Sequence, residues 1–328
     1  MKMAQFEGIV GIDVSKARLD VHVLPSHEAR QVANEAAGCE ALIGWLKSLG
    51  VRMAVLEASG GYERLAAKAL RRARLVVRVV DPKRVRHYAK AIGRLAKTDP
   101  IDAQVIAEFG AILPRQDRHR EIVVEDAARE PLAALVGARQ DLVDHKSCLE
   151  QQAAAIAPGP ARRALEAVVA VVARQIDRLE RRIVAAIAEH PPFAALAKRL
   201  DTVPGVGPVS IAAIIAWLPE LGLVSRQQIA ALVGVAPFDD TSGERVGQRY
   251  IQGGRGQLRN VLYMGTMAAT QHNAVLKAHY AHLMAGGKKH KVAVIACLRK
   301  LLTILNTMLA RQQDWRPRVA TAPAPAVS

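Results

Sequence analysis

The sequence predicts an α/β domain, then a helical middle section, then a second and mainly α-helical domain. Short apolar runs with a two-residue alternation crowd the first part of the chain and stop near residue 115. A spacing of alternating three and four residues between aliphatic side chains then takes over. The hydrophobic fraction is 51%, enough for real cores, but aromatics make up only 4%, so Ala, Val, Leu and Ile must fill them.

Phe6 to Leu24 reads as two strands. Ile9, Val10, Ile12 and Val14 form an apolar run, Ser15-Lys16-Ala17 can turn, and Leu19, Val21 and Val23 alternate in the second strand. A third short strand is expected near Arg30 to Asn34. Gly38 to Leu49 is a helix with Leu42, Trp45, Leu46 and Leu49 on one face, and Gly50 ends it. Val51 to Leu56 is a buried strand, Gly60-Gly61 breaks into a helix over Tyr62 to Arg74, and Leu75 to Val80 is a strand closed by Asp81-Pro82. A basic helix runs through Arg84, Arg86 and Lys90. The next starts at Lys97-Thr98-Asp99-Pro100, with Thr98 as its N-cap and Pro100 in its first turn. Strands joined by short turns pair antiparallel, whereas strands joined by helical crossovers pair in parallel. The resulting mixed order is the ribonuclease H-like arrangement.

Past residue 115, Leu135, Leu142 and Leu149 recur every seven positions. Leu165, Val169, Val172, Ile176, Leu179 and Ile183 then form the seam of a coiled coil. Pro158-Gly159-Pro160 separates the two helices, which fit an antiparallel hairpin as well as a dimerisation device. The expected divisions are residues 1–115, 116–198, 199–312 and a disordered Pro- and Ala-rich tail over 313–328.

Lys and Arg total 46 against 30 Asp and Glu, a formal charge of +16 that favours a polyanionic partner. Arg and Lys interrupt the long apolar stretches, so no membrane partner is expected, and no secretory signal opens the chain. Cys39, Cys148 and Cys297 lie far apart with no metal spacing. A cytoplasmic, nucleoid-associated protein follows.

Four acids suggest the chemistry. Asp13 falls in the first strand, Glu57 just past the fourth, and Asp99 and Asp102 share one helix face. Packed together they would repel, and Mg²⁺, or Mn²⁺ in its place, would resolve that conflict while activating a phosphodiester. Each acid alone has an ordinary explanation as a turn or helix-start residue; their joint placement favours the site. Gly-Ile-Asp followed by a turn also opens the phosphate hairpin of actin-like sugar kinases, but Val14-Ser15-Lys16 lacks the glycines that hairpin needs.

With these residues the sequence resembles the DEDD insertion-sequence transposases of family one-ten, recombinases that act with a bridge RNA. The resemblance runs from Gly8 to about Leu309 through Gly11-Ile12-Asp13-Val14-Ser15-Lys16, Leu56-Glu57-Ala58-Ser59-Gly60-Gly61-Tyr62 and Lys97-Thr98-Asp99-Pro100-Ile101-Asp102-Ala103. Ser59 stands where Thr is usual. The resemblance implies a RuvC-like nuclease domain using Asp13, Glu57, Asp99 and Asp102, and a C-terminal transposase domain with Ser242 as nucleophile. It also implies DNA as donor and target and a structured non-coding guide RNA. Recombination must join two sites, so a homo-oligomer, dimer or tetramer, is expected. On residue chemistry alone Ser242-Gly243 is an ordinary turn.

The C-terminal half carries its own signals. Gly205 and Gly207, in Pro204-Gly205-Val206-Gly207-Pro208, fit either a phosphate-contacting helix-hairpin-helix turn or a plain connector. Thr241 to Lys300 holds ten Lys or Arg and the single acid Glu244, an imbalance that suits a polyanion. Arg245, Arg249, Arg255 and Arg259 could hold a scissile phosphate, with Gly253-Gly254 permitting close approach. Lys288, Lys289 and Lys291 suit backbone contacts. A second basic region runs from Arg64 to Lys97 and includes Arg78. Rival readings are a junction-selective nuclease with water as nucleophile and a non-catalytic basic scaffold.

Overall fold

The structure, a computed structural model, describes residues 8–94, 99–113, 127–238, 241–242, 245–246 and 250–316; for 99–101, 241–242 and 245–246 it describes the backbone alone. The chain forms two compact units, Met1–Ile122 and Val123–Ser328. The expected helical middle section therefore belongs to the same unit as the C-terminal helices.

In the first unit β1 (Gly8–Val14), β2 (Arg18–Leu24) and β3 (Ala29–Ala33) are followed by α1 (Ala36–Ser48), β4 (Val51–Glu57), α2 (Glu63–Arg72), β5 (Val76–Val80), α3 (Pro82–Ala91) and α4 (Asp99–Ile112). The strands form one sheet in the order β3-β2-β1-β4-β5, antiparallel over β1–β3 and parallel where β4 joins β1 and β5 joins β4. This five-stranded mixed sheet is compatible with the ribonuclease H-like arrangement. Alternation sorts each strand between two apolar cores. Val10, Ile12, Val14 and Leu56 pack with Leu42 and Leu46 of α1 and Leu70 of α2. Ile9, Met53 and Val55 pack with Val85 of α3 and with Val105, Ile106 and Phe109 of α4.

Small residues seat α4 on that second face. A Cβ on Gly11 would stand 2.2 Å from the Ala103 carbonyl oxygen and 2.3 Å from the Ala107 amide nitrogen. A Cβ on Gly110 would meet Val55 Cγ2 at 2.6 Å. Helix and strand backbones approach closely only because these side chains are missing. The segment from Leu95 to Thr98, including the expected cap, lies outside the described residues.

The second unit is helical: α5 (Arg129–Ala154), α6 (Pro160–Glu189), α7 (Pro191–Asp201), α8 (Pro208–Trp217), α9 (Arg226–Val233), α10 (Gly256–His272), α11 (Ala274–Ala285) and α12 (His290–Ala310). Its one small sheet pairs β6 (Thr241–Ser242) with β7 (Arg245–Val246). α5 and α6 form an antiparallel hairpin, tied by the Arg139–Glu180 ion pair at 2.7 Å. In the predicted seam Ile176 and Ile183 are buried while Leu165, Val169, Val172 and Leu179 are half-buried, so the periodicity marks the face turned toward α5. α8 is buried from Ser210 to Ala216 and forms the middle of the core. Arg129 donates to the Ile215 carbonyl and lays its guanidinium 5.2 Å from the Phe193 ring centroid.

Two expectations change. α12 is 21 residues long and holds an 18-residue stretch with a mean hydropathy of 1.7, enough in length and composition for a membrane span. However, Val294, Cys297, Leu298, Leu301, Leu302 and Leu305 are buried in the core, so its hydrophobicity serves packing. Residues 313–316 do not belong to a disordered tail. Trp315 packs against the core and its amide donates to Thr202 Oγ1 at 3.1 Å; residues 317–328 lie outside the described set.

Candidate active site

The carboxylates of the first unit come from its backbone pairing. Ile12 of β1 pairs with Leu56 of β4, so one residue further along, Asp13 and Glu57 end adjacent parallel strands at the same level. They belong to the face covered by α4, since Ile12 and Leu56 face the opposite core. The Gly11 contact sets α4 over this point, and Asp102 directly precedes Ala103, the residue that touches Gly11. Asp13, Glu57 and Asp102 are all half-buried. Asp99 opens α4 one helical turn earlier, and its side chain lies outside the described atoms.

A further acid joins this level. Asp20 of β2 pairs directly with Asp13 and is only 8% exposed. It accepts a hydrogen bond from Gln31 Nε2 at 2.6 Å and faces Arg18 Nε at 3.3 Å. Sequence reasoning passed over it because Leu19, Val21 and Val23 alternate with it, which assigns Asp20 to solvent. α4 covers that face instead. The available signal was the pairing of two acids across a short turn. His22, on the same face, titrates below its usual value because it is buried and lies near His27.

The loop after Glu57 is braced. Glu63 accepts from the amides of Ser59 and Gly61 at 3.0 and 2.9 Å. Asn34 Nδ2 donates to the Ser15 carbonyl at 2.9 Å and the Tyr62 carbonyl at 3.1 Å, joining the turn after Asp13 to the loop after Glu57. Burial alone would raise the Glu63 carboxyl, but its hydrogen bonds with Glu63, Ser59 and Gly61 outweigh burial and hold it below the ordinary carboxylate range.

Among the described residues no three Asp, Glu, His or Cys side chains already form a cage for an ion. The donor set nevertheless consists of carboxylate oxygens at neighbouring strand ends and a helix turn, the chemistry that suits a hard divalent cation.

In the second unit Ser242 pairs with Arg245 across the β6–β7 hairpin. Phe238 and Tyr250 close its base, Phe238 N donating to Tyr250 O at 2.8 Å and Tyr250 N to Phe238 O at 3.3 Å. Arg249 lies outside the described residues. Arg255 is an internal tie. It makes two bonds to the buried Glu220 carboxylate, at 2.6 and 2.7 Å, and one to the Trp217 carbonyl at 2.8 Å. Arg259 donates to the carbonyls of Val233, Gly234 and Gly253.

The glycines have internal work too. Gly253 and Gly254 both adopt positive φ, and a Cβ on Gly254 would stand 2.3 Å from the Gly234 amide nitrogen. Gly205, at φ 90°, would place a Cβ 2.3 Å from Ala269 Cα, whereas Gly207 faces open space. The glycine at 205 is thus explained by packing of the α7–α8 turn against α10. Lys288, Lys289 and Lys291 are all exposed around the start of α12. Arg78, inside the other basic region, is buried in β5 at 7% exposure and leaves that surface; Arg64, Arg72, Arg74, Lys83, Arg84, Arg86 and Lys90 are exposed.

Two family models match the chain and together cover most of it. A transposase model of the DEDD IS110 type matches residues 10–157, and one described as Transposase IS116/IS110/IS902 family matches residues 197–281. The chain is 24% identical to a pilin gene-inverting protein of Moraxella lacunata, over 94% of this chain and 98% of that protein. It is 23% identical to a probable family 20 transposase of Pseudomonas aeruginosa over the same shares. It is 26% identical to an uncharacterized IS110 insertion-element protein of Streptomyces coelicolor, over 42% of this chain and 34% of that protein. The DEDD type implies dependence on a divalent metal and DNA as the substrate. The chain belongs to the IS110 family of transposases, enzymes that cleave and rejoin DNA.

Proposed function

We propose that this transposase excises and inserts its own element by a Mg²⁺-dependent reaction in which Ser242 becomes transiently linked to DNA. The observation behind the metal half is that Asp13 and Glu57 stand at one level of adjacent strands, on the face across which α4, the helix that carries Asp102, is packed. Those three, with Asp99, would hold the ion; Asp20 and Arg18 would brace Asp13 from the neighbouring strand. A bound divalent ion supplies stabilisation of the charge that develops on the phosphate.

In the serine step the Oγ–phosphorus ester forms as one strand ester breaks. The serine proton passes to the departing strand hydroxyl, and the reverse step restores both. Because one ester replaces another, rejoining consumes no ATP. Arg245 and Arg249 are the arginines we assign to the phosphate, since Arg255 and Arg259 are spent on internal bonds. Gly207, Lys288, Lys289 and Lys291 would contact the nucleic-acid backbone. Lysines at a helix N-terminus oppose its dipole, a cost that an anion bridging them removes.

The exposed basic stretch over Arg64–Lys90 would grip a structured guide RNA that reads the DNA by base pairing. The α5–α6 hairpin would join copies of the chain into a dimer or tetramer, and the protein would act in the cytoplasm on the nucleoid.

Ser242→Ala tests the nucleophile. We expect loss of both strand transfer and the denaturation-resistant protein–DNA adduct, with binding kept. Cleavage that persists without any adduct would instead identify a nuclease using water. Asp13→Asn should abolish cleavage with binding intact; unchanged cleavage would remove the acids from the chemistry.

A further inference from the structure

This chain is poor in aromatics, and among the described residues only three of them are largely exposed: Tyr62 at 48%, Phe238 at 44% and Tyr250 at 48%. Tyr62 follows Glu57 by five residues, and Phe238 and Tyr250 bracket Ser242. Leaving rings in water forfeits burial that the rest of the fold exploits. Phe238 and Tyr250 face each other across a pair of backbone hydrogen bonds, with ring centroids 6.2 Å apart and planes 29° from parallel.

Both ends of the pair are anchored. Val235 N bonds to the Ala230 carbonyl at 2.8 Å, and Arg255 N bonds to the Leu232 carbonyl at 2.9 Å. Arg259 ties Gly253 to Gly234, and the glycine contacts leave no slack between the chain before Phe238 and the chain after Tyr250. The backbone beneath the rings is therefore held at both ends, and the rings lie as an offset pair above it, each with only two side-chain torsions to order on binding.

We propose that Phe238 and Tyr250 form a stacking platform for an unpaired nucleobase of the DNA strand held at the serine hairpin. A flat, preorganised aromatic surface in a chain of charge +16 fits a partner that is planar on its face and anionic along its backbone, which describes a single strand. The platform rests on the serine reading for its place in the reaction but not for its binding, which can be measured separately.

The test uses the full-length chain freed of nucleic acid and a short single-stranded DNA, its abasic counterpart and its duplex at one salt concentration. The unmodified strand should bind roughly 5- to 150-fold more tightly than the abasic strand, the range that stacking of one base supplies. Tyr250→Leu, which keeps apolar bulk without a ring, and Phe238→Ala should shrink that ratio, and the double variant should bring it close to one. Tyr250→Phe should preserve it. Wild-type protein that fails to distinguish the strands, or ring variants with an unchanged ratio, would overturn the platform. A change of oligomeric state in Tyr250→Leu would also do so, by marking the rings as a subunit contact. Ser242→Ala should keep the ratio. Base preference that follows the rings while wild type yields no adduct would sink the serine reading alone. An adduct formed while the ratio ignores the rings would sink the platform alone.

Discussion

At the scale of single residues, one position of the first unit with no room for change is a glycine. Any side chain at residue 11 would enter the backbone of α4 at Ala103 and Ala107. Gly11→Ala should destabilise the first unit by about 3 kcal/mol, read as a lowered midpoint in chemical denaturation. Cleavage should fall further than stability, because α4 carries Asp99 and Asp102. The Arg255–Glu220 pair gives a second test. Its two bonds need the guanidinium fork, which an ammonium cannot reproduce. Arg255→Lys should cost about 1–2 kcal/mol, a range reduced because Arg255 is partly exposed. Its effect on nucleic-acid affinity should be smaller than that of Arg245→Lys. Equal losses of affinity would return Arg255 to the phosphate.

The residue scale is also where the sequence was least legible. Asp13, Glu57 and Asp102 stood out through their motifs, and backbone pairing brings the first two to one level. The partners of arginines did not stand out. Nothing in the spacing of Glu220 and Arg255 marks them as a pair, because 35 positions, with α9 and the β6–β7 pair among them, separate the two in the chain. The Gly253-Gly254 dipeptide looked made for a ligand and is made for Gly234. Local sequence reveals that a close approach occurs, not which group approaches.

At the scale of elements, the strands and helices of the first unit followed from periodicity with only end shifts, since burial on one face is a local property; the two-residue strands β6 and β7, too short to show a period, were not foreseen. α4 was harder to read, because it turns the apparent solvent side of β2 into an interior and so hides Asp20. The loop from Ala58 to Tyr62 depends on one ionised carboxylate. Glu63, with its value depressed, contributes stability that is complete above the ordinary carboxyl pKa of about 4.3 and is lost as pH falls through its lower folded value. Glu63→Gln should therefore lower stability at neutral pH by about 1 kcal/mol and converge with wild type in acid. Thermal melts across that interval check both limbs; a constant offset would mean that the side chain's shape matters and its charge does not.

At the scale of the whole molecule, two units with separate cores carry a net charge of +16. Engagement of six to ten phosphates would weaken nucleic-acid affinity by roughly 10³- to 10⁵-fold between about 50 and 200 mM salt. Filter binding across that range gives the number of contacts directly, and a shallow slope would show that the basic surfaces face each other or the protein rather than nucleic acid. A mixed α/β part followed by a helical part, the family and the charge were legible at this scale. The grouping of the helical hairpin with the C-terminal helices was not, because Leu135 and Ile183 belong to what looks like a self-contained seam in sequence yet join Leu132, Ile187 and the buried α8 in one core.

The contact of α4 on Gly11 also works as a ruler. Backbone rests on backbone, so the gap between strand end and helix turn cannot stretch to suit a longer side chain. On the proposed reading, a glutamate at position 102 would carry the same charge one methylene too far, with no room to withdraw. The arrangement would then gauge length before charge, and Asp102→Glu would be nearly as damaging as removing the carboxylate altogether.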